Sequence, residues 1–110
     1  MRSAFPLVLA LVASAVQADV LAPASAPDAG RQRELVHLVR QDCGSCHGMT
    51  LAGGLGPSLK PEALRDKPLE SLVATIHAGR PGTPMPPWHR FLSEAEARWI
   101  VEQLISGFPD

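Results

Sequence analysis

Hydrophobic residues recur at helical spacing in three stretches of the chain. The first covers residues 31–42 and ends just before Cys43. The second follows Pro68, which suits the start of a helix because its missing N–H needs no partner there, and it ends at Gly79. The faces comprise Leu35, Leu38, Val39 and Asp42 in the first helix, and Leu69, Leu72, Val73, Ile76 and His77 in the second.

The third stretch has a clear signal at each end. Ser93 and Glu96 have the spacing of a capping box, and Gly107 is a stop signal. Its apolar face comprises Ala97, Ile100, Val101, Leu104 and Ile105. No stretch alternates as a strand does, so the sequence predicts an all-α fold of three main helices, with a short turn at residues 61–66.

Two long connections lack any apolar periodicity. Residues 48–60 contain four glycines and a proline, and residues 79–88 contain four prolines around Met85. The first is predicted to be a loop and the second a stiff, extended loop, because proline fixes the backbone angle φ and blocks helix formation.

The N-terminus has the pattern of a secretory signal peptide. Arg2 supplies a positive charge, residues 5–16 are largely apolar, and small residues at Val16 and Ala18 predict cleavage before Asp19. The apolar run is shorter than the ~20 residues of a membrane span, so a retained anchor is the weaker alternative. We therefore expect a cleaved signal peptide at 1–18, a flexible Ala- and Pro-rich leader at 19–29, one domain at 30–110, and a periplasmic location.

Charge and length exclude several classes of function. The 110 residues carry 10 Lys+Arg against 11 Asp+Glu, so the net charge is −1 and gives no basic footprint for nucleic acid or an anionic membrane. The length allows one small domain and excludes a two-domain enzyme. After signal cleavage we expect no membrane span, and we expect a monomer.

The chemistry of the chain is concentrated in one motif. Its only cysteines, Cys43 and Cys46, precede His47 in the sequence CGSCH. This spacing is typical of covalent haem attachment, in which the two thiols bind the vinyl groups and the imidazole binds the iron. A disulfide would close a very short loop, a thioredoxin-like pair would need a βαβ unit, and a zinc site would need further ligands.

A low-spin haem needs a second axial ligand. Met85 is the main candidate, because a thioether between prolines can be held near the iron, whereas Met49 lies too close to His47 to reach the opposite face easily. His77 and His89 are the rival ligands. The Pro57 carbonyl is a candidate acceptor for the second ring nitrogen of His47.

These motifs resemble those of the class I monohaem cytochromes c over residues 31–108. The resemblance rests on CGSCH after an N-terminal helix, on residues 56–59 and 83–86, and on a final helix bearing Trp99. It implies that the first and last helices meet through Leu35, Val39, Trp99 and Ile100. It also implies a haem pocket formed by Leu51, Leu55, Pro57, Leu59, Leu72, Ile76, Phe91 and Trp99.

A looser similarity links the chain to small periplasmic cytochromes c encoded with the haem c/haem d nitrite reductase of denitrifying bacteria. It implies one haem c per chain and a one-electron carrier, not an enzyme, with nitrite reductase as a possible redox partner. Two alternatives remain open from the sequence. The protein could serve maturation of the haem d-type cofactor, or it could be a haem-based enzyme or gas sensor if the sixth ligand is absent.

Overall fold

The computed structural model describes residues 26–110. The predicted signal peptide, residues 1–18, and most of the predicted leader therefore lie outside the described residues. The helices are α1 at Ala29–Leu38, a π-helical turn at Val39–Cys43, α2 at Gly44–His47, α3 at Pro61–Leu64, α4 at Leu69–Ala78 and α5 at Glu94–Ser106. No strand occurs in this part of the chain, and the predicted all-α fold is confirmed.

Helix α1 begins slightly earlier than the apolar pattern indicates. The Asp28 carboxylate accepts a 2.8 Å hydrogen bond from the Arg31 N–H and caps the helix, which starts at Ala29. This start lies inside the segment predicted as a flexible leader. An aspartate three residues before Arg31 is the signal that marks it.

The helical path continues beyond α1 with a change of pitch. The Gly44 N–H donates to the Val39 carbonyl five residues earlier, which widens the turn between α1 and α2. Leu35 and Val39 are fully buried as predicted, but Asp42 is exposed. The expectation that Asp42 shares the buried face is wrong, because the wider turn shifts the register that regular helical spacing assumes.

Helix α5 starts as its sequence predicts. The Ser93 hydroxyl accepts from the Glu96 N–H at 3.1 Å, and the Glu96 carboxylate accepts from the Ser93 N–H at 3.0 Å. The prediction for Ile105 is wrong, since this residue is 37% exposed at the edge of the apolar face. Trp99 is buried in α5 instead. The buried residues of the helix are Ala97, Trp99, Ile100, Val101 and Leu104.

Helix α5 lies between two groups of buried side chains. The main cluster joins it to α1, the π-helical turn and α3 through Leu35, Val39, Leu51, Leu64, Leu92, Trp99, Ile100 and Leu104. A smaller cluster of Val73, Ala97 and Val101 joins it to α4. The four residues expected to connect the first and last helices all belong to the main cluster. Within residues 26–110, no helix is both long and apolar enough to cross a membrane.

An ion pair ties the start of α1 to the start of α5. Arg31 Nε lies 2.8 Å from Glu96 Oε1, and its Nη2 lies 3.3 Å from Glu96 Oε2. Arg31 also binds Glu34 one turn along α1, at 2.8 Å. The hydrogen bond from Arg31 lowers the pKa of Glu96, and the Ser93 N–H lowers it further.

This pair predicts a pH-dependent contribution to stability. Because the folded-state pKa of Glu96 is depressed, the contribution is complete above the ordinary glutamate pKa of about 4.3 and is lost as the pH falls towards the folded-state value. We expect Glu96→Gln, which keeps the capping box, to lower the free energy of unfolding by about 1 kcal/mol at pH 7 and by less at pH 3. Urea denaturation at both pH values measures this.

Glu34→Gln is the matched control, because Glu34 binds the same arginine from an exposed position. Its effect at pH 7 should stay below about 0.5 kcal/mol. If Glu96→Gln lowered the free energy of unfolding equally at pH 7 and pH 3, the pH-dependent contribution of the Arg31–Glu96 pair would be contradicted.

Candidate functional site

The two cysteines lie at opposite ends of one helical turn. Cys43 is half-buried and packs against the main cluster, whereas Cys46 is exposed. Both are free thiols, so the disulfide alternative is not the arrangement of this structure. Burial, followed by the nearby Asp42 carboxylate, raises the pKa of the Cys43 thiol to about 11, and the thiol is therefore protonated at neutral pH.

His47 is oriented by the backbone of the loop that follows it. Its Nδ1 lies 2.7 Å from the Pro57 carbonyl oxygen, the acceptor that the sequence indicated. A carbonyl only accepts, so Nδ1 carries a proton, and the neutral tautomer with that proton has its lone pair on Nε2. This hydrogen bond fixes the tautomer that a metal-binding imidazole requires.

Residues 48–60 form the predicted loop and fold back on α2. The Gly53 N–H donates to the His47 carbonyl and the Gly56 N–H donates to the Cys46 carbonyl, each at 2.8 Å. A Cβ atom at Gly56 would lie 2.8 Å from both Cε1 and Nδ1 of the His47 ring. Glycine is needed at position 56 because the imidazole occupies the space of a side chain.

Residues 79–88 also fold back on the helix that precedes them. The Trp88 N–H donates to the Ile76 carbonyl at 3.0 Å, and the Arg80 N–H donates to the Met85 carbonyl at 3.2 Å. Gly79 makes the reversal possible: its φ is +70°, and a Cβ there would lie 2.8 Å from the Met85 carbonyl oxygen. The loop is therefore fixed against the end of α4.

The two methionines of the described residues differ in their surroundings. Met85 is half-buried in this proline-rich loop, whereas Met49 is 67% exposed. Met49 lies close to α2, with its Sδ 4.0 Å from the position of a Cβ at Gly44. Met49 therefore lies on the same segment as His47, and Met85 is supplied by a separate part of the chain.

The rival histidines lie beside each other. The centroids of the His77 and His89 rings are 5.9 Å apart, and the His89 N–H donates to the His77 carbonyl at 3.1 Å. His77 is half-buried and lines a cavity of about 240 Å³ with Glu70 and Glu94, while His89 is exposed. The pair forms a contact between the end of α4 and the turn after the Met85 loop.

The structure divides the expected pocket residues into three groups by exposure. Leu51 and Trp99 are buried in the main cluster. The half-buried side chains that pack against this cluster are Leu59, Leu72 and Ile76. The exposed residues are Leu55 at 95%, Phe91 at 66%, and Pro57, whose backbone carbonyl is the atom that contacts His47.

Trp88 was not identified from the sequence as a candidate site residue. It is half-buried against the main cluster, and its ring contacts Phe91 edge to face at a centroid distance of 5.9 Å. Its position directly after the proline run was the available signal, since a large aromatic at the end of a stiff loop is placed by that loop.

The donors and the apolar surface together fit a covalently bound haem. Two free thiols and an imidazole with its lone pair on Nε2 lie on one short segment, and a thioether lies on a separate loop. The half-buried leucine and isoleucine side chains provide apolar surface for a macrocycle. Among the described residues, no group of three His, Cys, Asp or Glu side chains is arranged to hold a metal ion.

Several known proteins that are similar to this chain are named as cytochromes. The family profile described as "Cytochrome C oxidase, cbb3-type, subunit III" matches residues 30–103. Cytochrome c55X of Pseudomonas aeruginosa is 67% identical over 81 residues, which are 74% of this chain and 68% of that protein. Cytochrome c55X of Stutzerimonas stutzeri is 54% identical over 89 residues, 81% of this chain and 79% of that protein.

Two solved structures are also similar to this chain. The c-type cytochrome NirC has a TM-score of 0.73 at 65% identity and is matched over 95% of its length and 74% of this chain. The dihydro-heme d1 dehydrogenase NirN in complex with DHE has a TM-score of 0.58 at 38% identity. That match covers 63% of this chain and 15% of NirN, so the chain corresponds to a small part of that enzyme.

The contact between Gly56 and His47 leads to a prediction. Gly56→Ala forces either the imidazole or the loop to move, because the new methyl group would overlap the ring. We expect a loss of about 1–3 kcal/mol in the free energy of unfolding and a change in the NMR signals of the His47 ring. Gly30→Ala in α1 is the control, since its Cβ would meet only the ends of two side chains, Asp28 at 3.3 Å and Arg33 at 3.9 Å. Unchanged NMR signals of the His47 ring in Gly56→Ala would contradict the conclusion that the imidazole requires glycine at position 56.

Proposed function

The chain belongs to the c-type cytochromes and carries covalently bound haem c, and on that premise we propose that Cys43 and Cys46 are its thioether anchors and that His47 and Met85 are the axial ligands. The main support is the 2.7 Å hydrogen bond from His47 Nδ1 to the Pro57 carbonyl. It leaves Nε2 as the nitrogen with a free lone pair and holds the ring in one orientation.

Met85 is the better sixth ligand on the described contacts. Its backbone is held by the Arg80 N–H and by the close approach of Gly79, so the thioether starts from a fixed position. Met49 shares a segment with His47 and is mostly exposed. The rings of His77 and His89 contact each other edge to face, and His89 is exposed.

The protein is an electron carrier. Haem supplies iron that alternates between the ferric and ferrous states. His47 and Met85 would hold the iron in both states, so no exchange of protein ligands would be needed. We propose that Leu59, Leu72 and Ile76 form apolar walls that exclude water and tune the potential, and that Leu51 and Trp99 support those walls from the core.

We further propose a periplasmic, monomeric carrier that exchanges electrons with the haem c/haem d nitrite reductase. Support comes from the similarity to NirC and to the cytochromes c55X, and from the secretory pattern of residues 1–18. The mature chain has nine Lys+Arg against eleven Asp+Glu, a net charge of −2, which provides little long-range steering. Exposed apolar side chains such as Leu55 and Phe91 would contribute to docking.

One observation favours a second candidate function. The chain is 41% identical over 73 residues to the dihydro-heme d1 dehydrogenase of Pseudomonas aeruginosa. Oxidation of a dihydro compound releases two electrons and two protons, so a one-haem carrier would accept the electrons in two encounters. In this role the protein would serve maturation of the haem d-type cofactor as an electron acceptor.

The ligand assignment predicts an optical signature. We expect the oxidised, haem-loaded protein to show the weak long-wavelength band of sulfur bound to ferric haem, and we expect Met85→Ala to abolish it. Met49→Ala is the matched control and should keep the band. Spectra of the oxidised and reduced proteins, produced with a cytochrome c maturation system, measure this.

A band that is lost in Met49→Ala and kept in Met85→Ala would overturn the assignment. If the wild type lacked the band and its ferrous form bound carbon monoxide rapidly, the haem-based enzyme or gas sensor would replace the carrier.

A deletion strain separates the carrier from the maturation role. If the protein is a carrier, nitrite reductase purified from a strain that lacks it should contain the finished cofactor. In intact cells of that strain, the reductase should be reduced more slowly than in the wild type. If it serves maturation, the reductase should instead accumulate an unfinished cofactor. Absorption spectra of the extracted cofactor distinguish the two outcomes, and complementation with the wild-type chain is the control.

A further inference from the structure

The Met85 loop begins with a tight turn of defined type. The Thr83 N–H donates to the Arg80 carbonyl at 3.1 Å, which closes a four-residue β-turn. Pro81 occupies its second position, and Gly82, with φ at +79°, occupies its third. A proline followed by a residue of positive φ is the pattern of a type II turn, so this end of the loop is rigid.

The Thr83 side chain connects this turn to Met85. Its hydroxyl donates to the Arg80 carbonyl at 2.7 Å and accepts from the Met85 N–H at 3.4 Å. The Met85 carbonyl in turn accepts from the Arg80 N–H at 3.2 Å. Both backbone polar groups of Met85 are therefore bonded within residues 80–85.

The surrounding prolines make the hydroxyl difficult to replace. Pro84, Pro86 and Pro87 have no N–H, so Met85 carries the only backbone donor between Thr83 and Trp88. Within the described residues, the acceptor of that donor is the Thr83 hydroxyl. Removing the hydroxyl leaves the Met85 N–H without this partner and leaves the Arg80 carbonyl with the Thr83 N–H alone.

We propose that Thr83 is a positioning residue for Met85, and that its hydroxyl holds the loop in the conformation that presents the thioether to the iron. This inference rests on the proposed axial role of Met85. It assigns a positioning role to a residue outside the proposed axial pair. The hydroxyl acts by lowering the freedom of the Met85 backbone, so its loss weakens the thioether bond relative to an external ligand.

The test compares three haem-loaded proteins: wild type, Thr83→Val and Thr83→Ser. Valine keeps the size and branching of threonine and lacks the hydroxyl, whereas serine keeps the hydroxyl. Added imidazole displaces the thioether and removes the long-wavelength band. We expect Thr83→Val to lose the band at an imidazole concentration about three- to tenfold lower than the wild type needs, because one hydrogen bond is lost. Thr83→Ser should lose the band at the wild-type concentration.

Thr75→Val is the matched control. The Thr75 hydroxyl donates to the Ser71 carbonyl at 2.8 Å, so the same type of bond is removed from α4 outside the Met85 loop. In this variant, imidazole should displace the thioether at the same concentration as in the wild type. Hydrogen exchange gives a second measurement, in which the Met85 amide should exchange faster in Thr83→Val than in Thr83→Ser.

Equal imidazole sensitivity of Thr83→Val and the wild type would overturn the inference. A Thr83→Ser response equal to that of Thr83→Val would also overturn it, because side-chain packing rather than the hydroxyl would then be responsible. The same holds if Thr75→Val responds as strongly as Thr83→Val. Absence of the band in the wild type itself would instead overturn the axial role of Met85, and this inference with it.

Discussion

The hydrogen bond from His47 to the Pro57 carbonyl is the constraint that shapes one side of this small domain. For the carbonyl to reach the ring, the chain must return to α2 within ten residues, and it does so through backbone bonds to His47 and Cys46. Such a close return leaves no space for side chains, which accounts for glycine at position 56. Gly54 is likewise pressed against the Cys46 carbonyl, where a Cβ would lie 2.8 Å from the oxygen, so these two glycines follow from the return of the loop to α2.

The Met85 loop uses the same arrangement with a different residue. The loop after α4 also returns to its own helix, and Gly79 allows the contact because its backbone touches that of Met85. Proline then replaces glycine as the main loop residue. Proline restricts backbone freedom in the unfolded chain as well as in the folded one, so the thioether is held at a smaller entropic cost. Glycine thus permits close contact around His47, and proline provides stiffness around Met85.

Sequence patterns predicted the features that depend on local chemistry. The capping box of Ser93 and Glu96, the two loops and the acceptor at Pro57 follow from residue types at fixed spacing, and the structure contains all of them. The π-helical turn could not be predicted, because its wider pitch has no residue signature, and Asp42 was therefore assigned to the wrong face. The exposure of Ile105 and the packing of Trp88 depend on tertiary contacts, which helical spacing alone does not describe.

The similarity to the dihydro-heme d1 dehydrogenase concerns only part of that enzyme. The matched region covers 15% of NirN and 63% of this chain, so the shared unit is the small cytochrome domain. An enzyme that oxidises a large cofactor needs a binding surface for it, and residues 26–110 form five α-helices and two loops that leave little surface for a second large site. The similarity therefore supports a common means of moving electrons more strongly than a common substrate. In either proposed role, the partner protein would hold the molecule that reacts, and this chain would deliver or remove the electron.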